Sequence, residues 1–242
     1  MIIKQYQQHI EQLIKEVFEH EDKAIEQAAQ TIATTIEQGG RTYLFGTGHS
    51  HMIAEEVFVR AGGLASFKAI LSPELMIHEL ATKSTAIERL EGYARPILDL
   101  YKVDKGDTII VISNSGRNAV PVEMCLEAKK KGCKVIVITS LNHSKAVSSR
   151  HSSGLRIFEI ADIVLDNHGQ QGDASFLVRD YAVPTGPTST LIGVLLIETV
   201  MVKVVELLIE KGLDPEVFRS SNLDGADEYN ATLFEKYHRY LK

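Results

Sequence analysis

The sequence predicts an α/β fold: a doubly wound, flavodoxin-like or Rossmann-like sheet of five parallel strands flanked by helices, with a long N-terminal helix or helix pair ahead of it. Three observations carry that expectation. Short β-branched runs alternate with segments of helical period, which implies parallel pairing through right-handed crossovers. Two of those runs end in turns of small residues, Gly46-Thr47-Gly48-His49-Ser50 and Ser113-Asn114-Ser115-Gly116. Finally, 242 residues suffice for one substantial core and are few for two complete α/β domains.

The elements follow in order. From Ile2 to Gln38, apolar residues recur at helical spacing, from Ile3, Tyr6, Ile10 and Leu13 through to Ile32 and Ile36. That is one long helix, or two broken near His20-Asp22, and Gly39-Gly40 ends it. So long an amphipathic element needs an apolar partner, for which another subunit is the natural candidate. Strands are expected at Arg41–Phe45, Ala65–Ile70, Asp107–Ile112, Lys134–Thr139 and Asp162–Leu165. Helices are expected at Ser50–Ala61, Ser84–Tyr101 and Ala119–Lys131, with shorter pieces near Pro73–Leu80 and Ser144–Ser149. Gly154-Leu155-Arg156 offers no strong helix. A last long helix runs from Ser189 to Lys211 and is ended by Gly212. The tail is polar, with a helical stretch from Glu228. This divides the chain into an N-terminal helical segment (1–38), a central domain (39–212) and a C-terminal tail (213–242).

Composition narrows the function. Apolar content of 44% and charged content of 24% are ordinary for a globular protein. A net charge of −6 argues against nucleic acid, which is held by neutralising phosphates with Lys and Arg. Cys125 and Cys133 cannot form a disulfide framework, and no signal peptide or membrane span is evident. A cytoplasmic protein is expected.

The loop after Asp107–Ile112 carries the strongest chemical signal. Hydroxyls and free backbone N–H groups gathered at a helix N-terminus suit a phosphate. Serines there also serve as plain helix caps. The second loop, at Gly46–Ser50, tips the balance toward phosphate, since both would open on one edge of the sheet. It lacks the third glycine of a dinucleotide fingerprint and the Lys of a P-loop. In Pro184-Thr185-Gly186-Pro187-Thr188-Ser189-Thr190, Thr188 and Ser189 fit either a cap for the last helix or contacts to a sugar. The segment Asp166–Asp173 reads as a loop over the ligand edge, with Asp173 or His168 as partners, or as a plain connection.

Gly46-x-Gly48-x-Ser50 followed by Ser113-x-Ser115-Gly116 resembles the sugar isomerase (SIS) domain of phosphosugar isomerases and phosphosugar-binding regulators. The resemblance spans about Gly39 to Gly212. The long first helix and overall length are most similar to phosphoheptose-isomerase-like proteins. The tail Asn222–Asn230, with Gly186–Thr190, resembles a separate bacterial branch of that group. The resemblance implies that Ser50, Ser113, Asn114, Ser115 and Gly116 hold a sugar phosphate, with Gly46, Gly48, His49 and Asn118 beside them. Where the family carries Ser or Thr, Asn118 stands here. Arg117 adds charge to the phosphate or is simply solvated. The resemblance also implies a homodimer or homotetramer.

Aldose–ketose isomerisation passes through an enediol, so it needs a general base and an acid, usually Glu and His. Glu55 and Glu56, on the helix after Ser50, are candidates for the base. His78, in Ser72–His78, resembles the Pro-to-His stretch of arabinose-5-phosphate isomerases. Glu88 and Glu91 fit a solvated helix face, or reach toward a neighbouring subunit's site. Phosphoheptose isomerases carry a His and a Glu four apart on the first helix, where Glu56 and Arg60 stand here, and a further His on the last helix, which has none. Neither a metal nor a cofactor is therefore expected. The leading expectation is a sugar-phosphate isomerase. The alternatives are an etherase or lyase of the N-acetylmuramic-acid-6-phosphate type, whose loop Ser115-Gly116-Arg117 resembles, and a non-catalytic phosphosugar sensor.

Overall fold

The structure is a computed structural model and describes residues 1–237. The N-terminal periodicity resolves into two helices, α1 (Ile2–His20) and α2 (Asp22–Glu37). Helix α2 buries Ile25, Ala28, Ala29, Ile32 and Ala33. It finds its apolar partner within the chain, in the long helix α9 (Ser189–Glu210). Helix α1 buries only Leu13 and Val17 and leaves Ile3 77% exposed.

The sheet matches the expected doubly wound form. Strands β1 (Thr42–Gly46), β2 (Phe67–Ile70), β3 (Thr108–Ile112), β4 (Lys134–Thr139) and β5 (Ile163–Asp166) are all parallel, in the order β2-β1-β3-β4-β5. Successive side chains point to opposite faces, so each strand feeds two cores. Leu44, Ile110, Ile112, Ile136 and Ile138 meet α2, α9 and the short helix α3 (His51–Glu56). Tyr43, Phe45, Ile109, Val111, Val135 and Val137 face α5 (Ala94–Leu100) and α6 (Ala119–Lys131). Strands buried on both faces explain the near-continuous apolar runs in the sequence.

Several boundaries differ from expectation. Helix α3 stops at Glu56 instead of reaching Ala61, because the tail claims the following backbone. Gly62 N–H donates to Phe218 O at 2.9 Å, Ala65 N–H to Glu216 O at 3.0 Å, and Phe218 N–H to Gly63 O at 2.9 Å. The expected helix Ser84–Tyr101 is two, α4 (Ala81–Ile87) and α5, joined by Glu88–Tyr93. Pro96 accounts for the break: it is tolerated in the first turn of α5 but would disrupt a continuous helix. Helix α7 (Leu141–Lys145) begins earlier than expected because the Ser140 hydroxyl caps it, accepting from His143 N–H at 3.0 Å. A one-turn helix, α8 (Ile157–Ile160), follows Arg156, and a hairpin of β6 (Ala174–Phe176) and β7 (Thr185–Pro187) precedes α9; neither was anticipated.

The tail carries α10 (Ala226–Tyr237), whose Leu233 packs with Ala65 and Phe218. Both cysteines are free and buried, and burial pushes the Cys133 thiol up to about 12. Among the described residues no helix is long and apolar enough to cross a membrane.

Candidate functional site

Strand order reverses between β1 and β3, and open α/β sheets bind ligands in the crevice beyond the carboxyl ends at such a switch point. Both small-residue loops leave the sheet there. At the first, a β-carbon on Gly46 would lie 2.5 Å from the carbonyl carbon and oxygen of Ser50. Only glycine therefore lets the chain turn back so tightly into the 3₁₀ turn Gly48–Ser50. Ser50 is half-buried and His49 exposed. His51 is buried, and its Nδ1 meets the Gly48 carbonyl. A carbonyl only accepts, so the proton sits on Nδ1, and Nε2 faces the Glu55 carboxylate at 3.8 Å.

The second loop is rigidly tied. Gly116 has φ +58°, and its N–H donates to the Ser113 hydroxyl at 3.2 Å. The Asn114 carbonyl accepts from the Thr139 hydroxyl and from Ser140 N–H, both at 3.1 Å. Asn114 Oδ1 accepts from Asn167 Nδ2 at 3.0 Å, joining the loop to the end of β5. Other donors are left open. The N–H groups of Asn114, Ser115, Arg117 and Asn118 reach no acceptor among the described residues, and Ser115 is half-exposed. They lie at the N-terminal end of the 13-residue α6, where Val120 N–H is taken by the Glu88 carbonyl at 3.0 Å, and open donors at a helix start are of the kind that suits an anion.

A carboxylate joins the two loops. Glu88 Oε2 accepts from the Thr47 hydroxyl at 2.7 Å, and its Oε1 accepts from Asn118 Nδ2 at 2.5 Å. Asn118 Oδ1 accepts in turn from Arg150 Nη1 at 2.9 Å. Burial raises the Glu88 carboxyl above the ordinary range, against the lowering influence of the Thr47 hydroxyl and of Arg89 and Arg150. Titratable groups displaced by burial next to a specific partner concentrate at functional sites. The sequence sets Glu88 on a solvated helix face or toward a neighbouring subunit's site, whereas it stands at the C-terminal end of α4, ahead of the break that Pro96 signals.

The other expected residues divide into groups. Glu55 and His78 come together around His51, whose ring centroid lies 6.1 Å from that of His78. Glu56 turns away and pairs with Arg60 on the next turn. Thr188 and Ser189 stand at the start of α9, where Asp173 occupies their donors. Its Oδ1 accepts from Thr188 N–H at 3.0 Å and Ser189 N–H at 2.8 Å, and its Oδ2 accepts from the Ser189 hydroxyl at 2.7 Å. The Asp173 carboxylate thus caps the helix, and the buried Thr188 hydroxyl has no partner among the described residues. His168 binds Glu21 at 2.9 Å. No three His, Cys, Asp or Glu side chains stand together in a metal-holding arrangement among the described residues.

The profile of the SIS domain matches residues 5–140, more than half of the chain. A UPF0309 protein of Halalkalibacterium halodurans is 48% identical over 232 residues, 96% of each chain. One of Oceanobacillus iheyensis is 45% identical over 236 residues, 97% of this chain and 96% of its own. Among solved structures, phosphoheptose isomerase of Neisseria gonorrhoeae superposes with a TM-score of 0.58 at 16% identity, over 85% of this chain and 100% of that one. The Francisella tularensis enzyme gives 0.53 at 19% identity, over 84% and 96%. At such identity the likeness is one of fold.

Proposed function

The chain belongs to the SIS domain family, and from that membership and its two facing loops we propose that it is an aldose–ketose isomerase of a phosphorylated sugar. The observation that carries this reading is the convergence of Gly46–Ser50 and Ser113–Asn118 at the β1/β3 switch point, bridged by Glu88. In this reading the phosphate lies on the Ser115 hydroxyl, the open N–H groups of its loop and the α6 N-terminus, with Ser50 and Ser113 alongside.

The chemistry is assigned to the group around His51. Glu55 removes the C2 proton of the aldose, and the electrons move to the C1 carbonyl oxygen, which takes a proton from His78. The enediol then gives its O2 proton back to His78, and the proton held by Glu55 returns to C1 to give the ketose. Glu55 is favoured over Glu56 because Arg60 engages Glu56. His51 stands beside Glu55, its Nε2 3.8 Å from the carboxylate. The reading includes a cytoplasmic homodimer or homotetramer, consistent with the free cysteines and with the apolar surface of Ile3, Val202 and Ile209.

Calorimetric titration with sugar phosphates tests the phosphate assignment. A Ser115→Ala variant loses one hydrogen bond to a charged group, worth about 1.5–3 kcal/mol, so its affinity should fall roughly tenfold to a hundredfold. Binding as tight as in the wild type would remove Ser115 from the site.

A further inference from the structure

A chain of net charge −6 gathers three arginines around its second loop. Arg117 lies within the loop, Arg150 follows α7, and Arg89 comes directly after Glu88. Arg150 N–H donates to the Arg117 carbonyl at 2.7 Å, while its guanidinium reaches Asn118 at 2.9 Å. Partial desolvation, then the fields of Arg117 and Arg89, disfavours the charge on the exposed Arg150, and the Glu88 carboxylate opposes them. Two other arginines sit in ion pairs, Arg60 with Glu56 and Arg156 with Glu159. Among the described residues Arg89, Arg117 and Arg150 form no direct ion pair, and the Glu88 carboxylate reaches Arg89 and Arg150 only through its field.

The same corner holds polar atoms shut away from solvent without partners among the described residues. They are Arg117 Nε, His143 Nδ1 and the Ser144 hydroxyl. The Ser144 hydroxyl lies 3.1 Å from where a β-carbon on Gly116 would stand, and His143 feels the field of Arg117. Three guanidinium groups beside the single Glu88 carboxylate leave this corner with net positive charge, and a buried polar atom without a partner is costly. An anion bound there relieves both. The phosphate does not require them, since the loop's own N–H groups, Ser115 and the α6 N-terminus already suit it.

We propose that Arg117 and Arg150, with Arg89 behind them, bind a second anionic group on the phosphosugar, so that the substrate carries a carboxylate or a second phosphate besides the first. This rests on the phosphosugar reading above. Guanidinium forks recognise either group in bidentate fashion.

Calorimetric titration of the wild type with two matched pairs of probes tests it: glucose 6-phosphate against 6-phosphogluconate, and fructose 6-phosphate against fructose 1,6-bisphosphate. At least one two-anion probe should bind about tenfold or more tightly than its partner. A preference for 6-phosphogluconate identifies a carboxylate, and one for the bisphosphate a second phosphate. In a folded R117Q/R150Q variant, checked by thermal melting, the preference should vanish. Equal binding within both wild-type pairs, or a preference that survives in the variant, overturns this inference and leaves the phosphosugar reading standing. Failure of all four probes to bind overturns both. The wild-type comparison decides even where the variant does not fold.

Discussion

A Glu55→Gln variant is expected to lose about 10²–10⁴-fold in isomerase turnover while its KM for the sugar phosphate changes little. The amide keeps the size of the side chain and can still accept a hydrogen bond, but it cannot take the C2 proton. The proposed reading puts phosphate affinity on the second loop, so binding should persist while chemistry stops. Glu56→Gln is the control. Its carboxylate serves Arg60 across one turn of α3, a half-exposed ion pair, and such pairs contribute little. Turnover in that variant should stay within about twofold of the wild type. Steady-state kinetics on both variants checks the pair, and a reversed outcome would move the base to Glu56.

The second large effect is expected at Glu88. Replacing it with alanine strands the Thr47 hydroxyl and the Asn118 amide in a half-buried crevice, both of which now donate to its carboxylate. The cost should be about 3 kcal/mol, and melting should fall by roughly 6–12 °C for a chain of this size. Sugar-phosphate binding should weaken as well, because Thr47 and Asn118 belong to the two loops. Glu88→Gln should be milder: its carbonyl can still accept from Asn118, and the Thr47 hydroxyl can rotate to accept from the amide.

The two Glu88 variants also differ from the wild type in pH dependence. The folded carboxyl titrates above its unfolded value. Its contribution to stability is therefore complete below the unfolded pKa and is lost as pH rises through the folded one. Glu88→Gln removes that slope, which melting curves across the carboxylate range would register. A Glu88→Ala protein as stable as the wild type would show that the bridge between the loops is incidental.

Much of the sheet was legible because its signal is local. The β-branched runs and their spacing placed all five strands within about two residues, and the two loops declared themselves through Gly46, Ser113, Ser115 and Gly116. What escaped depended on contacts between distant residues. The early end of α3 is imposed by Phe218, far along the chain. The α9 cap comes from Asp173, across an intervening hairpin. Arg150 reaches Asn118 from 32 residues away, and Glu88 reaches Thr47 from 41. No periodicity encodes such pairings. The separation of Glu55 from Glu56 was illegible for a related reason: adjacent helical side chains diverge by about 100°, and only the packing decides which one meets His51.

The central claim is that a sugar phosphate held between the β1 and β3 loops is deprotonated at C2 and returned as its ketose or aldose partner. Nuclear magnetic resonance in deuterated water, with candidate phosphosugars and the purified protein, addresses it directly. The account predicts deuterium incorporation next to the carbonyl together with formation of the isomeric sugar phosphate, both lost in the Glu55→Gln variant. Tight binding without exchange would contradict it in favour of a sensor, and exchange accompanied by loss of the C3 substituent would contradict it in favour of an etherase.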